Sequence, residues 1–184
     1  EQIFRAGDVI STLPPQCLPE LIVPNCNADQ TPMPAPYRQH LTELEAPSGA
    51  LVFYGAIDRA DLPDDCPGHW QRDASDPGSV FISISREGDG RAPKGQATVI
   101  ASVFTTPKGW FSGSEAEYQS KKEACQAKIR RTVEAALGLS EHTWRHQELA
   151  TPRGFLRWTG RPNGIVGGLG QSPSRFGPFG LASR

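Results

Sequence analysis

The residues whose types and spacing suit chemistry gather in one stretch, residues 150–168, ATPRGFLRWTGRPNGIVGG. Thr151 is a good N-cap, and Pro152 suits the first helical position, where its missing N–H and fixed φ do no harm. About two helical turns can follow, closed by Gly160 at C′, which tolerates φ > 0. On that helix Phe155 stands three and four residues before Trp158 and Thr159, so one face is aromatic with a polar edge. Arg161-Pro162-Asn163-Gly164 spells a turn, with proline at its second position and Asn-Gly after it. Ile165 and Val166 read as a very short strand running into Gly167 and Gly168. Such a piece suits a pocket wall against a flat ligand, with aromatic side chains on one side and bare backbone at the glycines. An ordinary surface connection between helix and strand has the same requirements, and the stretch by itself leaves both readings open.

Other chemistry-bearing residues are scattered. His146 and Glu148 share a strand face with Trp144, opposite Arg145, Gln147 and Leu149; they suit a general acid–base pair or a satisfied surface hydrogen bond. Asp61, Asp64, Asp65 and His69 surround Cys66, but Pro63 and Pro67 make this a loop and the spacing matches no metal site. Gly88-Asp89-Gly90 has the composition of a phosphate or metal loop, yet no helix N-terminus follows, and an exposed turn is expected.

The elements that must position the 150–168 stretch show in the hydrophobic pattern. Residues 51–57 form a nearly continuous apolar run ended by Asp58. Residues 79–84 alternate, with Val80, Ile82 and Ile84 pointing one way and Phe81 and Ser83 the other. A polar, glycine-rich hairpin connection, 86–95, leads to a third strand at 97–104. A fourth, 143–149, runs directly into the motif. Ser114 and Glu117 form a capping box for a helix that ends at Leu137 with Gly138 at C′. Tyr118, Cys125, Ile129, Val133 and Leu137 make its apolar stripe, with Lys121, Lys122, Lys128, Arg130 and Arg131 as a solvated face. On that stripe Cys125 is core rather than nucleophile. Upstream, residues 8–12 read as a short strand stopped by Pro14-Pro15, and 16–22 as one or two helical turns limited by Pro19. A proline-rich loop follows at 23–36, then a helix at 37–45 with Tyr37, Leu41 and Leu44 on one face. The expected fold is α+β, an antiparallel or mixed β-sheet covered by helices.

Composition narrows the class. With 184 residues the chain is long enough for a real core. A net charge of −1 leaves no footprint for nucleic acid and no electrostatic membrane anchor. No apolar run approaches the roughly 20 residues of a membrane span, and no signal-peptide pattern opens the chain. Cys17, Cys26, Cys66 and Cys125 lie far apart with no Cys-x-x-Cys, which suits free thiols in a reducing compartment, with a disulfide pair as the other reading. A cytoplasmic placement is expected.

The pattern Thr-Pro-x-x-Phe-x-Arg-x-Thr-Gly-Arg-Pro, followed by Gly-x-x-Gly-Gly, resembles the C-terminal region of the FAD-dependent phytoene desaturase and carotenoid isomerase family, within the flavin amine oxidases. It is most similar to the cyanobacterial carotenoid 3′,4′-desaturase branch. The resemblance extends through residues 8–15, DVISTLPP, residues 88–93, GDGRAP, and residues 99–104, VIASVF, and so covers nearly the whole chain. It implies an enzyme that desaturates or isomerises a carotenoid polyene, with FAD taking the electrons and the protein supplying a long apolar channel. Phe155, Trp158, Thr159, Ile165 and Val166 are then expected to bind substrate. Ser11, Leu13, Pro14, Arg161, Gly167 and Gly168 are expected beside the cofactor. Arg157 or Arg161 would stabilise negative charge on a reduced ring, or else serve as a salt bridge or helix C-terminal charge. No catalytic acid or base can be named.

Family members carry a Gly-x-Gly-x-x-Gly fingerprint near the N-terminus, and Gly164, Gly167, Gly168 and Gly170 have the wrong context for one. With Glu1 in place of a start methionine and Arg184 inside a segment of the resemblance, an excised piece is expected. Residues 1–24 would be a stub of the FAD domain, 25–160 the substrate-binding domain and 161–184 the return. Alone, such a piece should carry neither flavin nor activity, and should self-associate where the FAD domain would dock. Its partners would be a carotenoid or other long polyene and the FAD domain, with peripheral contact to a membrane left open. A non-catalytic ligand-binding or interaction module of the same fold, and a flavin amine oxidase with an aromatic cage, are the alternatives.

Overall fold

The computed structural model describes residues 4–22, 33–44 and 48–168. They divide into two compact units, one holding 4–22, 33–44 and Gly168, the other 48–167. The division falls beyond residue 44 and at Gly167. Residues 23–32 and 169–184, with Cys26, Gly170 and the tail, lie outside the described residues.

The larger unit is an α+β fold on an open five-stranded sheet. Its strands are β1 (Gly49–Asp58), β2 (His69–Arg72), β3 (Val80–Ile84), β4 (Gln96–Thr105) and β5 (Trp144–Ala150). They lie in the order β2-β3-β4-β1-β5, and every neighbouring pair is antiparallel. Four of these elements match the sequence pattern. The fifth, β2, corrects the reading of residues 61–69 and beyond as loop alone. Its prolines precede the strand, and four residues at a sheet edge are too few to show a period. Trp70 donates its indole N–H to the Pro67 carbonyl at 3.2 Å, which fixes the entry to the strand.

One face of the sheet is the core. Leu51, Phe53 and Ile57 from β1 lie beside Ala97, Val99, Ala101 and Val103 from β4, with Val80, Ile82, Ile84 and Leu149 completing the layer. The helix α3 (Glu115–Leu137) covers it with Ile129, Val133 and Leu137. Full burial of each such side chain stabilises by about 1.5–3 kcal/mol. The helix has the expected capping box: Glu117 N–H donates to Ser114 Oγ at 3.3 Å, and Ser114 N–H to Glu117 Oε2 at 2.7 Å. Gly138 ends it at φ 70°. Tyr118 and Cys125, expected on the buried stripe, are only half-buried.

A bulge at the start of β5 corrects another expectation. Ala56 pairs with His146 but Ile57 pairs with Trp144, so Arg145 is the extra residue. Trp144 therefore turns to the core face, while His146 and Glu148 point to the opposite one. There Trp144 packs edge-on against Phe53 at 5.1 Å and donates to Glu134 Oε1 at 2.8 Å. Gly55 makes this possible, because a Cβ at that position would collide with the Trp144 ring. Arg145 is held outside by a two-pronged pair with Asp58, at 2.6 and 2.7 Å, whose hydrogen bonds lower the Asp58 pKa.

In the smaller unit, residues 8–12 do not form the expected strand. They run as irregular chain with Val9 86 % and Ile10 91 % exposed, since no described strand pairs with them. A single 3-10 turn, Pro15–Cys17, leads into α1 (Leu18–Leu21). The helix α2 (Ala35–Glu43) begins earlier than expected, directly after Pro34, and Leu44 caps it rather than continuing its face. Arg38 pins α2 to α1 by donating to the carbonyls of Pro19 and Ile22, at 2.9 and 3.3 Å.

Candidate functional site

The 150–168 stretch folds as helix α4 (Pro152–Thr159), a turn and a single bridge. Pro152 is the first helical residue, and Gly160 closes the helix at φ 67°, its N–H donating to the Leu156 carbonyl at 2.9 Å. Thr151 occupies the N-cap position, but its side chain makes no cap bond. It is 1 % exposed, and its hydroxyl instead meets the Tyr118 hydroxyl at 2.9 Å.

The turn after α4 is tightly specified. Gly164 N–H donates to the Arg161 carbonyl at 3.0 Å, with Asn163 at φ 54° and Gly164 at φ 61°. Only glycine fits position 164, because a Cβ would run into the Pro152 carbonyl. Instead of a short strand, Ile165 makes one isolated bridge with Gly49, and Val166 N–H reaches the Ser48 carbonyl at 3.4 Å. Arg161 folds back and donates to the carbonyls of Val166 and Gly167, at 3.4 and 3.0 Å. Its two terminal guanidinium nitrogens are thus used on its own loop, while Nε is buried without a partner among the described residues.

Between α4, the first turns of α3 and the edge of the sheet lies a groove of about 650 Å³. Phe155, Trp158 and Thr159 form one wall, Tyr118 and Gln119 another, and Tyr54 and Glu148 the floor on the sheet side. Trp158 is 83 % exposed. Arg157 stands over its ring at 5.6 Å and has no carboxylate partner among the described residues. Arg153 lies 4.1 Å over the Tyr118 ring and pairs with Glu115 at 3.0 Å. The Glu115 carboxyl is lowered first by a hydrogen bond from Gln119 and then by Arg153.

Tyr54 connects the groove to the sheet face that α3 does not cover. Pairing places Tyr54, Ile100, Phe81 and Phe104 on that face, and Tyr54, Phe81 and Phe104 remain exposed, Phe104 by 78 %. The structure therefore brings Phe155, Trp158 and Thr159 together with Tyr54 and Tyr118. It does not bring Ile165 there: that side chain is buried behind the turn. Val166 is half-buried and Gly167 exposed, both on the exit from the turn, and Gly168 is exposed as well. Ser11, Leu13 and Pro14 belong to the smaller unit, where Leu13 N–H donates to Ser11 Oγ at 3.3 Å and Pro14 accepts from Cys17 N–H at 2.9 Å. Tyr54 and Tyr118 line the groove but were not among the residues expected there. The alternation that buries Phe53 also turns Tyr54 outward, and that is the signal that would have found it.

His146 and Glu148 lie exposed on the uncovered face without a hydrogen bond or ion pair between them. Among the described residues no three His, Cys, Asp or Glu side chains converge to hold a metal. No described helix is long and apolar enough to cross a membrane. Among the described residues no glycine-rich turn joins a strand to a helix N-terminus. No protein-family model and no curated protein matches this chain.

Proposed function

We propose that this chain is the substrate-binding part of an FAD-dependent oxidoreductase that desaturates or isomerises a carotenoid-type polyene, as the resemblance of residues 151–168 implies. The observation that carries the proposal is the one-sidedness of the sheet. Helix α3 closes one face, while the other keeps Tyr54, Phe81 and Phe104 in solvent beside an aromatic groove. A half-covered antiparallel sheet ordinarily turns polar side chains outward, so large apolar groups there mark a binding surface. A long, flat hydrocarbon suits that surface. The exposed Val9 and Ile10 support the same reading, as an unpaired apolar segment that would pair within an FAD domain.

On this reading the dinucleotide is held by sequence outside the described residues, and FAD supplies the electron-accepting chemistry when bound. The residues of this chain bind and orient. Phe155 and Trp158 would lie against the polyene, and Tyr54 and Phe104 would extend the apolar track and exclude water from it. Arg157 is the arginine left to stabilise developing negative charge, since Arg161 is engaged by the Val166 and Gly167 carbonyls. A cytoplasmic site against a membrane surface would suit a substrate dissolved in lipid.

The test is an anaerobic titration of the flavin-loaded enzyme that contains this chain with linear polyenes and, separately, with amines. Bleaching of the visible flavin band by a polyene, or recovery of a geometric isomer without bleaching, is the expected result. Bleaching by amines alone would make the protein an amine oxidase, and no response to either would make the groove part of a non-catalytic binding module.

A further inference from the structure

Resting on that functional reading, we propose that Tyr118, which lies outside the 150–168 stretch, is the positioning residue for the α4 wall of the groove. Thr151 would ordinarily cap α4, yet its buried hydroxyl is given to Tyr118 at 2.9 Å. The Tyr118 ring carries the Arg153 guanidinium at 4.1 Å, and Arg153 is tied in turn to Glu115, one turn earlier on α3. The ring also packs edge-on against Trp110 at 6.2 Å. Trp110 is itself buried and donates to Thr105 Oγ1 at 3.1 Å, at the end of β4.

Tyr118 therefore stands between a fixed point of the sheet and the first turn of α4. That helix has eight residues, too short to hold its own direction, and Phe155 and Trp158 ride on it. The capping box at Ser114 fixes the turn of α3 from which Glu115 and Tyr118 project. From the opposite side, Gly164 and Ile165 hold the α4 exit against Pro152 and Gly49. The pitch of α4, and with it the width of the groove, is set by one hydroxyl–hydroxyl bond and one ring–guanidinium contact. Tyr118→Phe removes the bond and leaves the ring, Thr151→Val removes the same bond from the other end, and Thr151→Ser keeps it.

The experiment reads each variant in two ways: Trp158 emission and quenching in the purified chain, taken as the difference from Trp158→Phe, and kcat and KM for polyene in the flavin-loaded enzyme. Tyr118→Phe should shift the Trp158 signal and raise KM about tenfold with kcat nearly unchanged. Thr151→Val should do the same, the double variant no more than either, and Thr151→Ser should match the parent. Additive losses, or a fall in Tm with the Trp158 signal and KM unmoved, would overturn the proposal and leave Tyr118 a stabilising contact only. Should Tyr118→Phe not fold, the contrast between Thr151→Ser and Thr151→Val decides it. A parent that transforms no polyene sinks the functional reading, while the Trp158 signal still tests the positioning role.

Discussion

Trp158 and Gly164 divide the labour of the site between them. Trp158 contributes little to stability, because its ring is already in water. In the flavin-loaded enzyme, Trp158→Ala should lower kcat/KM for polyene about tenfold or more and change flavin content and Tm little. Equal losses of flavin and turnover would show a folding role instead. Gly164 is the reverse case. Gly164→Ala meets both a positive φ and the Pro152 carbonyl, so it should cost about 2 kcal/mol or more. Gly138→Ala, at φ 70° with open space around it, should cost about 1–2 kcal/mol; urea unfolding of the two variants makes the comparison. The turn at 161–164 was legible because proline, asparagine and glycine each have a local backbone reason to be there. The use of Thr151 was not, since capping is a local rule and its actual partner, Tyr118, is 33 residues away in sequence.

At the scale of elements, strands and helices with a clear period or cap were legible: β1, β3, β4, β5 and α3 lie close to where the pattern puts them. The elements that depend on a neighbour were not. β2 exists only because β3 pairs with it, and residues 8–12 remain unpaired despite a strand-like composition. The bulge at Arg145 reversed the face of Trp144, and nothing local announces a bulge whose cause is the slot at Gly55. The β3–β4 connection, expected as an exposed turn, is such a turn, organised by Asp89. Its carboxylate accepts from the Arg91 side chain at 2.8 Å and from the N–H groups of Arg91 and Arg86, at 2.9 and 2.7 Å, which holds its pKa near 2 against an ordinary 3.8. A carboxyl lowered by folding stabilises the fold above its ordinary value, and that contribution fades as pH falls from 3.8 toward 2. Asp89→Asn should therefore flatten the pH dependence of stability in this acid window and leave its slope at neutral pH unchanged. Chemical unfolding at a series of pH values measures it; identical slopes in both proteins would refute the assignment.

For the molecule as a whole, the α+β architecture was legible, because strand alternation and a capped helix are local patterns. Each unit exposes apolar side chains: Val9 and Ile10 in one, Phe104 and Trp158 in the other. The purified 184-residue chain should therefore self-associate with rising concentration, and after incubation with excess FAD and desalting it should retain no stoichiometric flavin band. Sedimentation and an absorbance spectrum check the two statements; a retained flavin would require a dinucleotide cradle within this chain.

Whether this sheet face and groove serve polyene chemistry is read from what happens to the substrate. Flavin-loaded enzyme containing this chain, with a suitable electron acceptor and linear carotenoids, should return products that differ from those of a flavin-loaded Trp158→Ala, Phe104→Ala control. The predicted result is a polyene lighter by the hydrogens of an added double bond, or of the same mass with changed double-bond geometry, in amounts that the paired substitutions abolish. A polyene returned unchanged by an enzyme with its full complement of flavin would contradict the account.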